Sequence, residues 1–128
     1  MMLLLIVVSS FLMYWTWARS TFVKRAIRSY TQISDPVVLH KMQNDHEWYG
    51  DVEISETAGR AFFGRHQWRQ GFQASNALSG RYYSPAALND CSACWFYIDD
   101  QHRGPYGYVV YVLSTNLQNL QVYEVFGG

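Results

Sequence analysis

The run from Met1 to Ala18, MMLLLIVVSSFLMYWTWA, carries no charge and constrains this chain more than any other feature. As a helix, eighteen residues rise about 27 Å, close to the roughly 30 Å of a bilayer's hydrocarbon core. Tyr14, Trp15 and Trp17 crowd its C-terminal end, where amphipathic rings favour the headgroup level. Arg19, Lys24 and Arg25 follow, placed to reach lipid phosphates while their stems stay apolar. A cleaved signal peptide would carry its basic residues before the apolar run and a small-x-small site after it. Here the basic residues come afterwards and the context is Trp-Thr-Trp. A buried core helix is disfavoured too, because 128 residues offer little material to enclose it. The expectation is a retained single-pass anchor, with Tyr14, Trp15, Trp17, Arg19, Lys24 and Arg25 at the membrane interface.

Charge divides the chain at the same place. Residues 1–28 hold Arg19, Lys24, Arg25 and Arg28 and no acid, whereas residues 29–128 hold six basic and ten acidic side chains, so a net charge of zero separates into +4 and −4. An acidic domain generates no broad field to attract nucleic acid, so no nucleic-acid partner is expected. With 49% hydrophobic and 16% charged residues, disorder is excluded as well. Counting basic flanks alone would place the domain on the cytoplasmic or matrix side.

Beyond the anchor, Phe22, Val23, Ala26, Ile27 and Tyr30 continue a helical period. Asp35-Pro36 reads as a helix start, which predicts a short helix over Val37–Asn44 with Val38, Leu39 and Met42 on one side. Residues 51–55 alternate as a strand does, and residues 57–60 suggest a turn. Residues 61–63 and 66–72 are strand candidates, and residues 84–89 look like one helical turn inside a long connection. Strands over 93–98, 106–114 and 120–126, joined by turns at 99–104 and 116–119, predict an antiparallel meander. The fold class is therefore α+β: a single N-terminal transmembrane helix, a short helix and a small antiparallel sheet. The organisation is an anchor and juxtamembrane helix over 1–33 and a small α+β domain over 34–128.

Candidate chemistry is sparse. Cys91 and Cys94 are a CxxC pair followed by Trp95, which excludes haem attachment; His102 would supply only a third zinc ligand. Two buried thiols, a structural disulfide and a redox pair all fit the spacing. Asp99 and Asp100 fall in a turn, and His40, His46 and His102 lack a metal-binding spacing. No phosphate loop and no nucleophile elbow is present, so no catalytic residue, metal or cofactor is expected. Arg60, Arg65, His66 and Arg69 interleave with aromatic side chains. The chain holds 17% aromatic residues, more than a small domain can bury, and exposed aromatic patches mark contacts with protein or membrane. Phe62, Phe63, Trp68, Phe72, Tyr82 and Tyr83 are the candidates for a partner surface.

The segments FVKRAIRSYTQISDPVVLHKM (Phe22 to Met42) and WFYIDDQHRGPYGYVVYVLSTNLQNLQVYEVF (Trp95 to Phe126), placed behind an N-terminal apolar helix, resemble the cytochrome oxidase assembly factor one family. A structural relative of that family is the small membrane-anchored subunit of the mitochondrial presequence translocase. The chain departs from the pattern in lacking a Gly-Pro break after the amphipathic helix, where residues 43–50 stand, and in an apparent insertion over residues 60–89. The resemblance implies an inner-membrane protein with its domain in the intermembrane space, an orientation opposed to the simple charge rule. It also implies a non-catalytic accessory or assembly role in the respiratory chain, with other subunits of a membrane complex and the bilayer as partners. It permits a Cys91–Cys94 disulfide. Two other classes remain as alternatives. One is an anchored thiol–disulfide protein using Cys91 and Cys94. The other is a pseudopilin-like bacterial envelope component, which would need a basic leader and an early Glu that the run lacks.

Overall fold

The computed structural model describes residues 2–100 and 106–126. Helix α1 (Met2–Ser20) contains the whole apolar run and buries none of its side chains against the rest of the chain. Thr21 interrupts the helix, and α2 (Phe22–Thr31) resumes it and ends at Gln32 in the left-handed region. α2 is amphipathic: Val23, Ile27 and Thr31, spaced four apart, are buried, and Phe22, Ala26 and Tyr30 pack beside them.

Six strands follow in one antiparallel sheet: β1 (Val37–Gln43), β2 (Glu47–Glu53), β3 (Arg69–Phe72), β4 (Cys91–Asp99), β5 (Tyr108–Leu113) and β6 (Asn119–Val125). Their order is β1-β2-β6-β5-β4-β3. The expected α+β architecture and the β4-β5-β6 meander are thus present. Between β2 and β3 the chain crosses one face of the sheet through α3 (Glu56–Gly64), and between β3 and β4 it crosses the other through residues 73–90, which include α4 (Ala74–Ala77). Two cores result. One lies under α2 and α3 and contains Val23, Ile27, Trp48, Val52, Phe62, Tyr111 and Leu120; the other lies under residues 73–90 and contains Phe72, Leu78, Leu88, Phe96, Val110 and Tyr123. Coverage on both sides explains why every residue of β5 is buried and why it reads as an unbroken apolar run.

Three local expectations are corrected. Val37–Asn44 is not a helix: Val37–Gln43 forms edge strand β1, paired with β2. A bulge between Val38 and His40 is the reason for the misreading. Val38 lies opposite Val52 and packs on the first core, while Met42 lies opposite Tyr49 and packs on the second. An extra residue at Leu39 switches faces, so period two is lost and a four-residue spacing imitates a helix. Residues 57–60 are no turn and 61–63 no strand, because Ser55 caps α3 by accepting the Ala58 amide hydrogen at 3.1 Å. Gly59, the source of the turn reading, is needed for proximity instead: a Cβ there would sit 1.8 Å from the Leu117 carbonyl oxygen. Residues 84–89 hold a single turn closed by the Ala87 amide on the Ser84 carbonyl. Part of the 99–104 turn, together with His102 and the Arg103-Gly104-Pro105 portion of the resemblance, lies outside the described residues.

One buried carboxylate fastens α2 to the sheet. Glu124 on β6 accepts hydrogen bonds from Trp48 Nε1 and from the Tyr30 hydroxyl, both at 2.7 Å. Trp48 is fully buried, so its indole N–H has no water to fall back on. Replacing Trp48 with Phe is expected to lower unfolding free energy by about 2 kcal/mol, the scale of one hydrogen bond to a charged acceptor. The loss should read as an earlier midpoint in urea.

Candidate functional site

Strand polarity sorts the molecule into two ends. The register places Gln43, Glu47, Asp99, Tyr108 and Val125 at one end of the sheet, and Val37, Glu53, Cys91, Leu113 and Asn119 at the other. The α1–α2 junction meets the first end. Lys41 Nζ donates to the Ser20 carbonyl at 2.6 Å. A crevice of about 350 Å³ is lined jointly by Trp15, Ala18, Arg19, Phe22 and Arg25 of the helices and by Gln43, Asn44 and Asp45 of the β1–β2 turn. The turn therefore abuts the last residues of the apolar helix.

Within the six predicted interface residues the roles differ. Arg25 lies over the Trp17 ring at 5.3 Å, donates from Nη2 to the Ala18 carbonyl at 2.6 Å, and donates from Nε to the Thr21 hydroxyl at 3.0 Å. It thereby occupies carbonyl positions at the negative end of α1, where a cation is favoured. Tyr14 and Trp17 pair at 6.2 Å. Lys24 faces Asp35 at 3.7 Å in an exposed pair, and such pairs contribute little. Arg19 has no hydrogen-bond or ion-pair partner among the described residues and projects from the helix surface.

The six candidate contact residues do not share a surface. Phe62, Phe63 and Trp68 converge with Trp95, Tyr97, Tyr111 and His66 on the α3 side, Phe63 stacking on Trp68 and His66 on Tyr97 at 4.5 Å. Phe62 is a core side chain there, and Phe72 is a core side chain on the opposite face, against Phe96. Tyr82 is 63% exposed and Tyr83 is half-buried over the second core. At the outer margin of the aromatic group lies a larger cleft, about 730 Å³, whose walls include Arg65, Arg69, Arg81, Trp68, Tyr97 and Asp100. Arg81 pairs with Asp100 at 3.0 Å, and Arg65 donates to the Thr31 carbonyl at 2.7 Å. His66 is held below its ordinary pKa by burial and then by Arg65, with Asp99 opposing. The cleft is a basic, aromatic-walled surface, with Asp100 as its one acidic lining residue among the described residues.

Cys91 and Cys94 are joined as a disulfide at the far end of the sheet, where Cys91 faces Phe72 across β3 and β4. They lie in a strand, so neither sulfur sits at a helix N-terminus, the usual source of a lowered thiol pKa. Among the described residues, no group of three or more His, Cys, Asp or Glu side chains is arranged to hold a metal ion.

Sequence reasoning missed the buried acid–phenol group on the second face. Glu47, almost fully buried, accepts from the Tyr123 hydroxyl, which in turn accepts the Ser84 amide hydrogen at 3.0 Å. Tyr108 donates to the Tyr82 carbonyl at 2.7 Å, and Arg81 lies over its ring. These bonds fasten residues 82–84 over the sheet. The available signal was two acids, Glu47 and Glu124, embedded in aromatic strand sequence, where an unpaired carboxylate would be costly.

Burial raises the pKa of three tyrosines. Tyr49 is pushed up to about 12, by burial and then by the Asp51 carboxylate. Tyr108 is raised mainly by burial, against the opposing effect of Arg81; Tyr123 is raised by burial and by its bond to Glu47. Folded, these phenols keep protons that the unfolded chain begins to lose near pH 10. Above that point the native state binds more protons, so stability falls as pH rises. The stabilising contribution is complete below about pH 10 and for Tyr49 is lost through about pH 12. Circular dichroism and tyrosinate absorbance followed together should show ionisation of these phenols coinciding with unfolding.

The fold and its two clefts define an antiparallel α+β domain borne on one N-terminal helix long and apolar enough to cross a membrane. The chain matches no protein-family model, no curated protein and no solved structure.

Proposed function

We propose that the protein is a membrane-anchored accessory or assembly subunit that acts through protein–protein contacts rather than by catalysis. The observation that carries this is α1: nineteen residues, uncharged before Arg19, with large apolar side chains mostly 47–79% exposed and none buried by the domain. Such a surface requires lipid or another protein to cover it. The domain also offers a basic, aromatic-walled cleft for a partner.

The Cys91–Cys94 disulfide supports placing the domain on the oxidising side of its membrane. Taken with the resemblance to the cytochrome oxidase assembly factor one family, it favours the mitochondrial inner membrane, with the domain in the intermembrane space and subunits of a respiratory complex as partners. Blue-native electrophoresis of gently solubilised membranes is the test. Migration within a larger assembly is expected; migration solely as a free monomer overturns the reading.

The same disulfide supports a second reading, an anchored thiol–disulfide protein. It requires one sulfur, after reduction, to be accessible and readily ionised. Alkylation of the reduced, folded protein across a pH series decides, since absence of modification below about pH 8 removes that reading.

A further inference from the structure

We infer that the crevice between the end of α1 and the β1–β2 turn binds the headgroup of an ethanolamine phospholipid. The inference rests on the membrane-anchor reading, because it takes Trp15 to Arg19 to lie at headgroup level. Its specific content is the division of polarity within the crevice.

One wall carries the cations. Arg25 is already committed to the Ala18 carbonyl, the Thr21 hydroxyl and the Trp17 ring, which fixes its position while leaving its positive charge beside the crevice. Arg19 has no partner among the described residues and lines the same crevice, so its guanidinium is available to a phosphodiester. Trp15 supplies apolar wall from α1 and Phe22 from the start of α2. The opposite wall carries acceptors. Gln43 lines this wall, and its Oε1 is buried with no hydrogen-bond partner among the described residues, so turning its amide toward the crevice gives a costly orphaned acceptor a donor from outside the chain. Asp45 adds a carboxylate to the same wall. The neighbouring Asn44 is already occupied: its amide nitrogen donates to Glu47, and its Oδ1 accepts the amide hydrogens of His46 and Glu47.

A ligand that satisfies both walls has a phosphate for the arginine and, a few atoms away, an N–H donor with positive charge for Gln43 and Asp45. Phosphoethanolamine has both. A choline headgroup carries the charge but no N–H, and a glycerol headgroup has donors but no cation. The source is taken to be the bilayer, because the crevice opens beside the last turn of an apolar helix.

The experiment reconstitutes the full chain into vesicles of phosphatidylcholine alone, or with phosphatidylethanolamine or phosphatidylglycerol. Flotation is scored first, and lipid retained after mild solubilisation is then measured by native mass spectrometry. Ethanolamine lipid should be retained over choline lipid by about tenfold, the scale of one hydrogen bond to a charged group. Arg19→Gln should lower retention about fivefold. Gln43→Leu should abolish the preference for ethanolamine over choline. Arg28→Gln removes the same charge one turn along α2, outside the crevice, and should leave retention unchanged. Equal retention of the three lipids, or a preference for phosphatidylglycerol, by a protein that floats overturns the headgroup site and leaves the anchor standing. Failure to float with any vesicle overturns both. Soluble phosphoethanolamine that displaces the lipid at equal concentration overturns the bilayer as the source.

Discussion

Val8→Arg is expected to move the protein out of the carbonate-resistant membrane fraction. Val8 lies near the middle of α1 and faces away from the rest of the chain, so nothing in the molecule shields a charge placed there. On insertion scales an arginine at a helix centre costs about 2.5–3.5 kcal/mol. A span of this length has little slack to carry the charge to an interface, although local thinning of the bilayer offsets part of the cost. The altered protein should be found soluble or degraded. Deletion of residues 1–18 should release a folded domain, because α1 contributes no buried side chain to either core. Wild type that itself extracts at high pH would refute the membrane span, and with it the proposed location.

The second large effect is expected at Gly59. A methyl group there would lie 1.8 Å from the Leu117 carbonyl oxygen and 2.9 Å from its carbonyl carbon, both backbone atoms. Leu117 is itself held in a left-handed conformation, in a turn fastened by Ser114 and Asn116, so it has little freedom to retreat. Gly59→Ala should therefore destabilise by about 3 kcal/mol, at the upper end of overpacking costs. Gly50→Ala should cost less, about 1–2 kcal/mol, because its Cβ would meet the side-chain ends of Val23 and Ile27. Gly64→Ala, with open space around it at the end of α3, should gain about 0.5 kcal/mol from backbone entropy. Thermal melts of the three variants must follow this order. If Gly59→Ala melts with wild type, the close approach of α3 to the β5–β6 turn is wrong.

The contrast between Gly59 and Gly64 also shows why parts of the fold were illegible in sequence. Ala58-Gly59 reads as a turn when the only argument for glycine is conformational freedom. In the folded chain Gly59 has helical backbone and is needed because another segment comes within contact distance. β1 was hidden for a related reason: the bulge after Val38 sends Val38 and Met42 to opposite faces, and no local period reports a switch of face. Among the aromatics, composition showed an excess over what a small core can bury. It did not show that Phe62 and Phe72 would be taken into separate cores and Tyr82 left outside.

Local physics by itself determined the long apolar N-terminal helix, the aromatic and basic residues gathered at its end, and the β4–β5–β6 meander. Each of these is set by side chains close in sequence: an uncharged run long enough for a bilayer, and β-branched strands joined by short turns. Tertiary structure alone decided the rest. It placed β2 beside β6 with β1 at the edge, brought Lys41 to the Ser20 carbonyl and the β1–β2 turn to Arg19, and put Glu124 beneath α2 and Glu47 beneath residues 82–84. The reason is that a buried carboxylate or an unpaired amide oxygen acquires its meaning from partners dozens of residues away. Glu124 meets Trp48 across seventy-six positions and Tyr30 across ninety-four, and sequence periodicity carries no information over such separations.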